Sequence, residues 1–444
     1  MRGVVGVGVV PHAPVLVPEI GGARLPAVED TRRAMKTLAG QLAAADPRTV
    51  VIISPHGDVD RTAIGLAGVP RLEGDFGAFG RPDLSFSADN DVVLVRALAR
   101  EAEGAGLPVW LRAGPGSTGG SRLSYAFLVP WYYLVEAGIR ARVVAVTMAR
   151  LGPDRLHRFG ELVARAAAQT ATRVAVLASA DLSHRLTHDA PAGYHPDGAV
   201  FDRTVMAALA AGRPACVLGI DPELAERAGE CGWRPILMAL GALAGTSFRS
   251  RVFSYEGPFG VGYGVALLTP GPDFAGLART ALATHLGEGR TMTSPEALGE
   301  PTGVYVTIKR QGELRGCMGT TEPAAADRAS AVIASAIRAG TADPRFPPVT
   351  LEELDGLDFS VDILGELEEV TGPDDLDPQR YGLVVRRGSR SGLLLPALEG
   401  IDTAEEQLRL VLDKAGLRDR SGVRLYRFTS ERYHSPVPGR ECSR

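Results

Sequence analysis

The sequence is poor in the features that mark secreted and membrane-spanning proteins. Four cysteines occur in 444 residues, and no two of them form a Cys-x-x-Cys pair. They are Cys216, Cys231, Cys317 and Cys442. This sparse set argues against a disulfide-rich secreted fold and favours a reduced, cytoplasmic compartment. No apolar stretch approaches the roughly 18 to 20 residues of a membrane-spanning helix, and Pro11 and His12 break the first one before the core of a signal peptide could form.

An excess of charge of one sign is also lacking. The 48 basic residues are nearly balanced by 52 acidic ones, which gives a formal net charge of -4 at pH 7. Without a broad basic field, neither nucleic acid nor a membrane surface is an expected partner. The composition is that of a soluble globular protein, 45% apolar and 23% charged. The length predicts about two or three domains.

Apolar runs rich in β-branched residues alternate with helix-like stretches through the first 270 residues. The predicted buried strands lie at residues 4–10, 49–54 and 173–179, and further strands are predicted at residues 108–112 and 142–148. The predicted helices lie at residues 28–45, 89–103 and 154–169. Residues 57–83, rich in glycine and proline, are predicted to form a loop. This order predicts an α/β fold in which helices cover both faces of a parallel sheet.

The stretch Thr-Pro-Gly-Pro-Asp at residues 269–273 interrupts this rhythm and predicts a domain boundary. We therefore expect one domain at residues 1–270 and a second, smaller one at residues 273–444. In the second, helices are predicted at 274–286 and 324–338, and strands at 303–320, 359–364, 381–396 and 423–428. Gln311-Gly312 and residues 388–391 are predicted hairpin turns. The pattern is typical of a mixed α+β domain.

Histidines stand at or just beyond the ends of three predicted strands, at His12, His56 and His184. In open α/β sheets, ligands bind at the carboxyl ends of the strands, so we expect one shared pocket. Two imidazoles and one carboxylate suit Fe(II), because they leave positions open for a chelating substrate and O₂. Glu230 is the best carboxylate candidate. Cys231 is its rival, and a thiolate would favour a softer ion such as zinc or copper.

A proton acceptor is needed if the substrate is a phenol, and His184 is the candidate, with Asp181 placed to orient it. His188 and His195 lie in the predicted loop 186–198, where contact with substrate and a solvated position are equal alternatives. A single strand-end histidine is more often an N-cap turn with a satisfied imidazole. Three together favour a functional site.

Four motifs carry a resemblance to a known family. They are Pro-His-Ala-Pro at residues 11–14, Ser-Pro-His-Gly at 54–57, Ser-Ala-Asp-Leu-Ser-His at 179–184 and Glu-Cys-Gly-Trp-Arg-Pro at 230–235. Together they resemble the LigB-like class III extradiol ring-cleavage dioxygenases and the related Memo proteins, across residues 1 to about 270. The resemblance implies an α/β/α sandwich.

The same resemblance implies roles for single residues. His12 and His56 match the two iron-binding histidines of the dioxygenases, and Glu230 matches their carboxylate. His184 matches the histidine that acts as acid and base in ring cleavage. In Memo-like proteins the third ligand is a cysteine, which falls on Cys231. The two precedents leave the third ligand open.

One position departs from the dioxygenase pattern. Ring-cleaving members carry a further active-site histidine in a Leu-Asp-His-Gly stretch before Val-Pro, whereas this chain has Tyr125 in the corresponding text. The departure affects proton transfer and leaves both metal-binding histidines in place. The leading hypothesis is a mononuclear non-haem Fe(II) oxygenase acting on an aromatic diol or another oxygen-chelating small molecule. The alternatives are a Memo-like metal-binding adaptor without turnover and a zinc hydrolase.

Residues 273–444 are similar to the AMMECR-type domain. The motifs in order are Gly-Val-Tyr-Val-Thr-Ile-Lys at 303–309, Gly-Glu-Leu-Arg-Gly-Cys-Met-Gly at 312–319, Asp-Pro-Arg-Phe-Pro-Pro at 343–348 and Phe-Ser-Val-Asp-Ile-Leu at 359–364. The similarity implies a two-lobed α+β fold of unknown activity. Fusions of the two domain types are known as AmmeMemoRadiSam system proteins, which implies a radical SAM partner. Both families also make a homodimer plausible.

The second domain contains its own candidate constellation. Glycines flank Cys317 closely, which would let a ligand approach the sulfur. Arg315 is placed to lower the pKa of the thiol or to bind an anion. Asp343 and Arg345 are expected nearby. Two hypotheses remain open: a reactive or ligand-contacting thiol, and a buried cysteine in a tight glycine bend.

Overall fold

The computed structural model describes residues 3–112, 121–378, 380–396, 398, 400, 401 and 403–434. The chain forms two compact units, which divide between Gly271 and Pro272. None of the helices among these residues combines the length and the apolar character needed to cross a membrane.

The first unit is built on a mixed sheet. Its strands are β1 (Gly3–Val10), β2 (Thr49–Ser54), β3 (Ile64–Ala67), β4 (Arg71–Phe76), β5 (Arg81–Asp89), β6 (Val109–Arg112), β7 (Ser121–Arg122), β8 (Arg142–Thr147), β9 (Arg173–Ser179), β10 (Phe248–Glu256) and β11 (Tyr263–Pro270). In the main sheet the order is β10-β11-β1-β9-β2-β8-β3-β6. The central strands β1, β9, β2 and β8 run parallel to their neighbours in this group, so their carboxyl ends lie at one edge.

Helices cover both faces of this sheet. They are α1 (Pro18–Gly21), α2 (Glu29–Ala44), α3 (Val92–Gly104), α4 (Tyr125–Glu136), α5 (Pro153–Gln169), α6 (Pro196–Ala210), α7 (Pro214–Leu218), α8 (Pro222–Ala228) and α9 (Trp233–Gly241). Successive residues of β2 point to opposite faces: Val51 and Ile53 join the core beneath α3, α5 and α9, and Val50 and Ile52 join the core beneath α2 and α4. The predicted α/β/α sandwich is confirmed.

Two parts of the first unit differ from the sequence prediction. Residues 57–83, expected to be a loop, contain β3 and β4, and β4 pairs with β5 and β7 in a separate small sheet. The alternating burial of β4 was hidden by its short length and by the surrounding glycines and prolines. The main sheet is also not purely parallel, because β11 pairs antiparallel to both β1 and β10.

The second unit is a mixed α+β structure, as predicted. Its elements are α10 (Phe274–Glu288), β12 (Val304–Arg310), β13 (Glu313–Thr320), α11 (Arg328–Thr341), β14 (Leu357–Leu364), β15 (Glu368–Val370), β16 (Gly382–Arg387), β17 (Arg390–Leu394), α12 (Ala404–Lys414), β18 (Arg424–Phe428) and β19 (Ser430–His434). One antiparallel group has the order β13-β12-β14-β19, and a second sheet has the order β15-β18-β16-β17. The turn between β12 and β13 is at Gln311 and Gly312, both with positive φ, which suits a tight hairpin.

Close packing of α5 against α9 requires glycine at the contact. A Cβ atom at Gly160 would lie 2.1 Å from the carbonyl oxygen of Met238, and one at Gly241 would lie 1.9 Å from that of His157. These are backbone atoms that cannot rotate away. Because neither glycine has a side chain, α9, the helix that follows Cys231, can pack this closely against α5.

We predict that Gly160→Ala destabilises the first unit by about 1 to 3 kcal/mol, because overpacking against backbone outweighs the better helix propensity of alanine. Gly40→Ala is the matched control, since Gly40 lies in α2 with no atom within 4 Å of its would-be Cβ. The control should be neutral or stabilising by up to about 1 kcal/mol. Urea unfolding followed by tryptophan fluorescence reports on this unit, because Trp110, Trp131 and Trp233 all lie in it. Unchanged stability of Gly160→Ala would contradict the packing argument.

Candidate metal centre

The carboxyl ends of the central strands bring His12 and His56 together. β9 lies between β1 and β2 and is parallel to both, so the residues that follow β1 and β2 meet across the end of β9. The two imidazole rings are 5.0 Å apart between centroids and nearly perpendicular. His12 is buried and His56 is half-buried. The structure thus places both predicted strand-end histidines side by side.

Hydrogen bonds determine which nitrogen of His12 faces the pocket. The single hydroxyl hydrogen of Ser179 is donated to the carbonyl oxygen of Ala126 at 2.5 Å. Ser179 Oγ must therefore accept from His12 Nδ1, which lies 3.0 Å away. Burial, followed by the nearby charge of His184, lowers the pKa of His12 to about 3. At neutral pH the imidazole is uncharged, and its Nε2 carries a free lone pair.

Cys231 supplies a third group at the same point. Its Sγ lies 3.6 Å from His12 Nε2. One ligand atom each from His12, His56 and Cys231 all lie within 4.8 Å of one another. The pKa of the thiol is raised well above its usual value, by burial first and then by the charges of Asp181 and Glu230. Desolvation also lowers the pKa of His56 to about 4, so both imidazoles are neutral ligands at physiological pH.

Glu230 lies next to Cys231 but its carboxylate has another partner. Its Oε2 accepts a hydrogen bond from the backbone N–H of Trp233 at 2.5 Å, near the start of α9. Its Oε1 lies 3.8 Å from the guanidinium of Arg234. Burial raises the pKa of Glu230 to about 7. The structure therefore brings the thiol, and not this carboxylate, to the two histidines.

Asp181 contacts His12, whereas the sequence interpretation assigned it to His184. Its Oδ1 accepts the backbone N–H of His12 at 2.8 Å, and its Oδ2 lies 3.6 Å from His12 Nε2. Residues 180–183 have no helical structure, so Asp181 is not one helical turn before His184. Burial raises the pKa of Asp181 to about 6, while the neighbouring histidines counteract that rise. A buried carboxylate, a thiol and an unprotonated imidazole nitrogen thus converge.

Two aromatic side chains lie beside the histidines. Tyr125, at the start of α4, stacks on His56 with a centroid distance of 5.5 Å. The ring of Phe79 meets Tyr125 edge-on at 5.3 Å and is itself 38% exposed. Burial raises the pKa of Tyr125, with smaller contributions from Asp181 and Cys231, so the phenol keeps its proton at neutral pH.

His184 lies at the same end of the sheet, in a loop whose backbone is hydrogen-bonded to Asp202. Its Nδ1 is buried and has no hydrogen-bond partner among the residues described. The preceding residue, Ser183, is held by its backbone N–H, which donates to Asp202 Oδ1 at 2.8 Å. Asp202 in turn accepts from the Tyr255 hydroxyl at 2.8 Å. The backbone next to His184 is therefore fixed, while the buried Nδ1 of its ring has no hydrogen-bond partner in the part of the chain that the structure describes.

The other two loop histidines have different surroundings. His195 caps α6, because its Nδ1 accepts the backbone N–H of Asp197 at 3.2 Å. His188 is exposed and packs against Tyr194, with ring centroids 4.8 Å apart. Neither belongs to the group formed by His12, His56 and Cys231.

The candidate constellation of the second unit is also brought together in part. The backbone N–H of Cys317 donates to Asp343 Oδ2 at 2.8 Å, and Arg345 binds the same carboxylate at 2.7 Å. Arg315 instead pairs with Glu353 at 3.0 Å, because a register shift in β13 turns it away. Burial raises the pKa of Cys317, so it is a thiol and not the thiolate that Arg315 was expected to favour.

Sequence reasoning missed three residues that shape the first site. They are Ser179, Asp202 and Phe79. Ser179 begins the Ser-Ala-Asp-Leu-Ser-His motif and ends β9, so its position at the carboxyl edge of the sheet could be predicted from the sequence. Its hydrogen bond to His12 could not. Asp202 and Phe79 have no local signal, because they reach the site only through tertiary packing.

Comparison with known proteins places both units. The family described as "Catalytic LigB subunit of aromatic ring-opening dioxygenase" matches residues 6–266, and the AMMECR1 family matches residues 275–433. The chain is 34% identical over 462 residues to Protein CA_C1420 of Clostridium acetobutylicum, which covers 96% of this chain and 98% of that protein. A Thermotoga maritima protein is 50% identical over 133 residues, covering 30% of this chain and 76% of its own.

Among solved structures, the uncharacterized protein PH0010 from Pyrococcus horikoshii is similar to part of the chain. The match has 35% identity, covers 37% of this chain and 92% of that one, and has a TM-score of 0.34. The full-length relative and the two family matches agree on a two-domain fusion. The chain belongs to the LigB family through its first unit and carries an AMMECR1 domain as its second.

Proposed function

We propose that the first unit is a mononuclear metal-dependent enzyme acting on a small oxygen-bearing molecule such as an aromatic diol. His12, His56 and Cys231 would hold the ion. The observation that carries this proposal is the convergence of one ligand atom from each within 4.8 Å. Iron(II) is the ion expected from the family, and oxygen-dependent oxidation is the expected reaction class.

The chemistry of the donor set fits a transition metal. Two imidazole nitrogens and one sulfur suit iron, zinc or copper, whereas magnesium and calcium prefer oxygen ligands. The lone pair of His12 Nε2 faces the Asp181 carboxylate at 3.6 Å, an arrangement that is repulsive once Asp181 is ionised. A cation at this point would turn that repulsion into attraction. Ser179 would act as the outer partner that fixes the imidazole tautomer.

When bound, the ion would stabilise negative charge and orient a chelating substrate. The chain's own residues would do the rest. His184, whose Nδ1 has no partner among the described residues, is available to take a proton from a substrate hydroxyl. Tyr125 keeps its proton and can donate a hydrogen bond to a substrate oxygen. Phe79 and Tyr125 offer flat apolar surface on which an aromatic ring can pack.

A second candidate is a unit that holds zinc or copper and does not consume oxygen. The specific observation in its favour is that Cys231, and not Glu230, lies beside the two histidines. Thiolates favour softer ions than carboxylates do. Tyr125, in the position of the dioxygenase histidine, supports it as well. Such a unit would serve as a hydrolase or as a Memo-like metal-binding adaptor for a radical SAM partner.

Metal analysis and oxygen uptake together test the function. We expect protein purified without oxygen to retain about one iron per chain and to consume O₂ when a panel of catechols is added. His12→Ala should lower the metal content at least about tenfold, since a ligand is lost. His195→Ala is the matched control, because that histidine caps α6, and it should keep its metal.

The outcomes separate the candidates. Zinc or copper without oxygen uptake would favour the second candidate and exclude the oxygenase. Unchanged metal content in His12→Ala would mean that these residues do not hold the ion at all.

The pKa values predict how metal affinity depends on pH. Cys231 is protonated at neutral pH, so binding must release its proton, whereas His12 and His56 are already neutral. Affinity should therefore rise about tenfold per pH unit between about pH 7 and 8.5. Competition against a chelator of known affinity measures this slope. Cys231→Ser should bind more weakly and with a clearly smaller slope, because no thiol proton is released while the carboxyl group of Glu230, with a pKa of about 7, still titrates beside the site. A pH-independent affinity of the unaltered protein would contradict thiolate ligation.

A further inference from the structure

One face of the sheet group β13-β12-β14-β19 in the second unit is polar. The other face carries Val304, Val306 and Val361 into the core that contains residues of α10 and α11. On the polar face, strand register places a first row of side chains. Cys317 pairs with Thr307, Thr307 with Ser360, and Ser360 with His434. Directly paired residues share a face, so a thiol, two hydroxyls and an imidazole line up across four strands.

A second row lies beside the first, two residues along each strand. Gly319 pairs with Tyr305, Tyr305 with Asp362, and Asp362 with Arg432. Because side chains alternate along a strand, this row lies on the same face as Cys317. The face thus gathers a phenol, a carboxylate and a guanidinium beside the thiol. Such a set is unusual for a sheet face that is partly buried.

Asp362 has an unmet hydrogen-bonding need on this face. It is only 1% exposed, and its Oδ1 accepts from Arg432 Nε at 2.9 Å and from Ser430 Oγ at 3.0 Å. Its Oδ2 is buried and has no partner within the described part of the chain. A buried acceptor left unpaired is costly, so a donor is expected there.

Positive charge gathers at the other end of the face. Burial raises the pKa of the Cys317 thiol, and the charge of Asp362 adds to that rise. A hydrogen bond with Thr307 and the charges of Lys414, at the end of α12, and of Arg345 lower it. Arg345 is paired with Asp343. Lys414 forms no ion pair with any residue described, and its side chain reaches solvent although partial burial lowers its pKa. The charge of Asp343 acts on it without a direct ion pair, so a cation that is not paired at close range lies near the thiol.

We propose that this polar face is a binding site for a small organic anion. The negative group would lie against Lys414 and Arg345 beside the Cys317 thiol, and an N–H or O–H group of the same molecule would donate to Asp362 Oδ2. Cys317 and Asp362 are two strands apart and offset by two residues, which places their Cα atoms roughly 12 Å apart. The ligand is therefore larger than a simple inorganic anion. In the proposed complex the thiol contacts the ligand as a neutral group and forms no covalent bond with it. All the residues of this site belong to the second unit, and the proposal does not rest on the metal centre.

Thiol alkylation with reagents of different charge tests the proposal in the full chain. Iodoacetate is an anion and iodoacetamide is its neutral counterpart, and mass spectrometry of peptides reports labelling at Cys317 alone. The rate with iodoacetate divided by the rate with iodoacetamide should be about fivefold higher at Cys317 than at the thiol of an unstructured peptide. This is the effect expected of one nearby, partly screened positive charge. Lys414→Gln should bring the ratio close to the peptide value. Lys36→Gln, an exposed lysine of α2 in the first unit, removes the same charge elsewhere and should leave the ratio unchanged.

Two results would overturn the proposal. One is a ratio in the unaltered protein no higher than that of the peptide. The other is labelling of Cys317 only after unfolding, which would mean that the thiol is a closed core residue. Because Lys414 is exposed at a helix end, loss of folding in Lys414→Gln is not expected, and circular dichroism verifies this.

Discussion

The site of the first unit depends on the parallel pairing of β1, β9 and β2. This pairing brings the residues that follow three strand ends to one desolvated point, where the Nε2 lone pair of His12 and the Asp181 carboxylate lie beside His56. The turn before α9 adds the Cys231 sulfur. Little water remains there to solvate negative charge. Burial raises the pKa of the thiol and of Asp181, and it lowers the pKa of both imidazoles. These shifts favour the uncharged forms of the thiol, the carboxyl group and both imidazoles. A bound cation would stabilise the thiolate and the carboxylate and would accept the lone pairs of the neutral imidazoles, which is the physical reason for interpreting the cluster as a metal centre.

Sequence reasoning reached the α/β/α sandwich and the strand-end histidines because both follow from short-range patterns. A continuous apolar run predicts a buried strand, and the carboxyl ends of parallel strands share an edge, so His12 and His56 were predictable without coordinates. The choice between Glu230 and Cys231 was not. Adjacent residues in a tight turn point in different directions, and only the backbone geometry that commits Glu230 to Trp233 decides which one faces the histidines. Ser179 was visible as a strand end, but its bond to His12 depends on packing.

The second unit shows the same limit more strongly. Its hairpins and helices could be predicted from turn residues and periodicity, whereas the polar sheet face could not. Cys317 and Asp362 are 45 positions apart in the sequence, and they share a face only because β12 pairs with both of their strands. Arg315, two residues from the thiol, looked like its partner but is turned towards Glu353 by a one-residue shift in register. Proximity in sequence was a poor guide to proximity in the sheet.

X-ray absorption at the edge of the bound metal tests the central claim most directly. We predict one sulfur neighbour together with nitrogen neighbours that lie closer to the ion, at about 2.3 Å and about 2.0 to 2.1 Å where the ion is zinc. In Cys231→Ser the sulfur contribution should disappear while the imidazole contribution remains. A spectrum of the unaltered protein with only oxygen and nitrogen neighbours would contradict the cluster of His12, His56 and Cys231 as the metal-binding site.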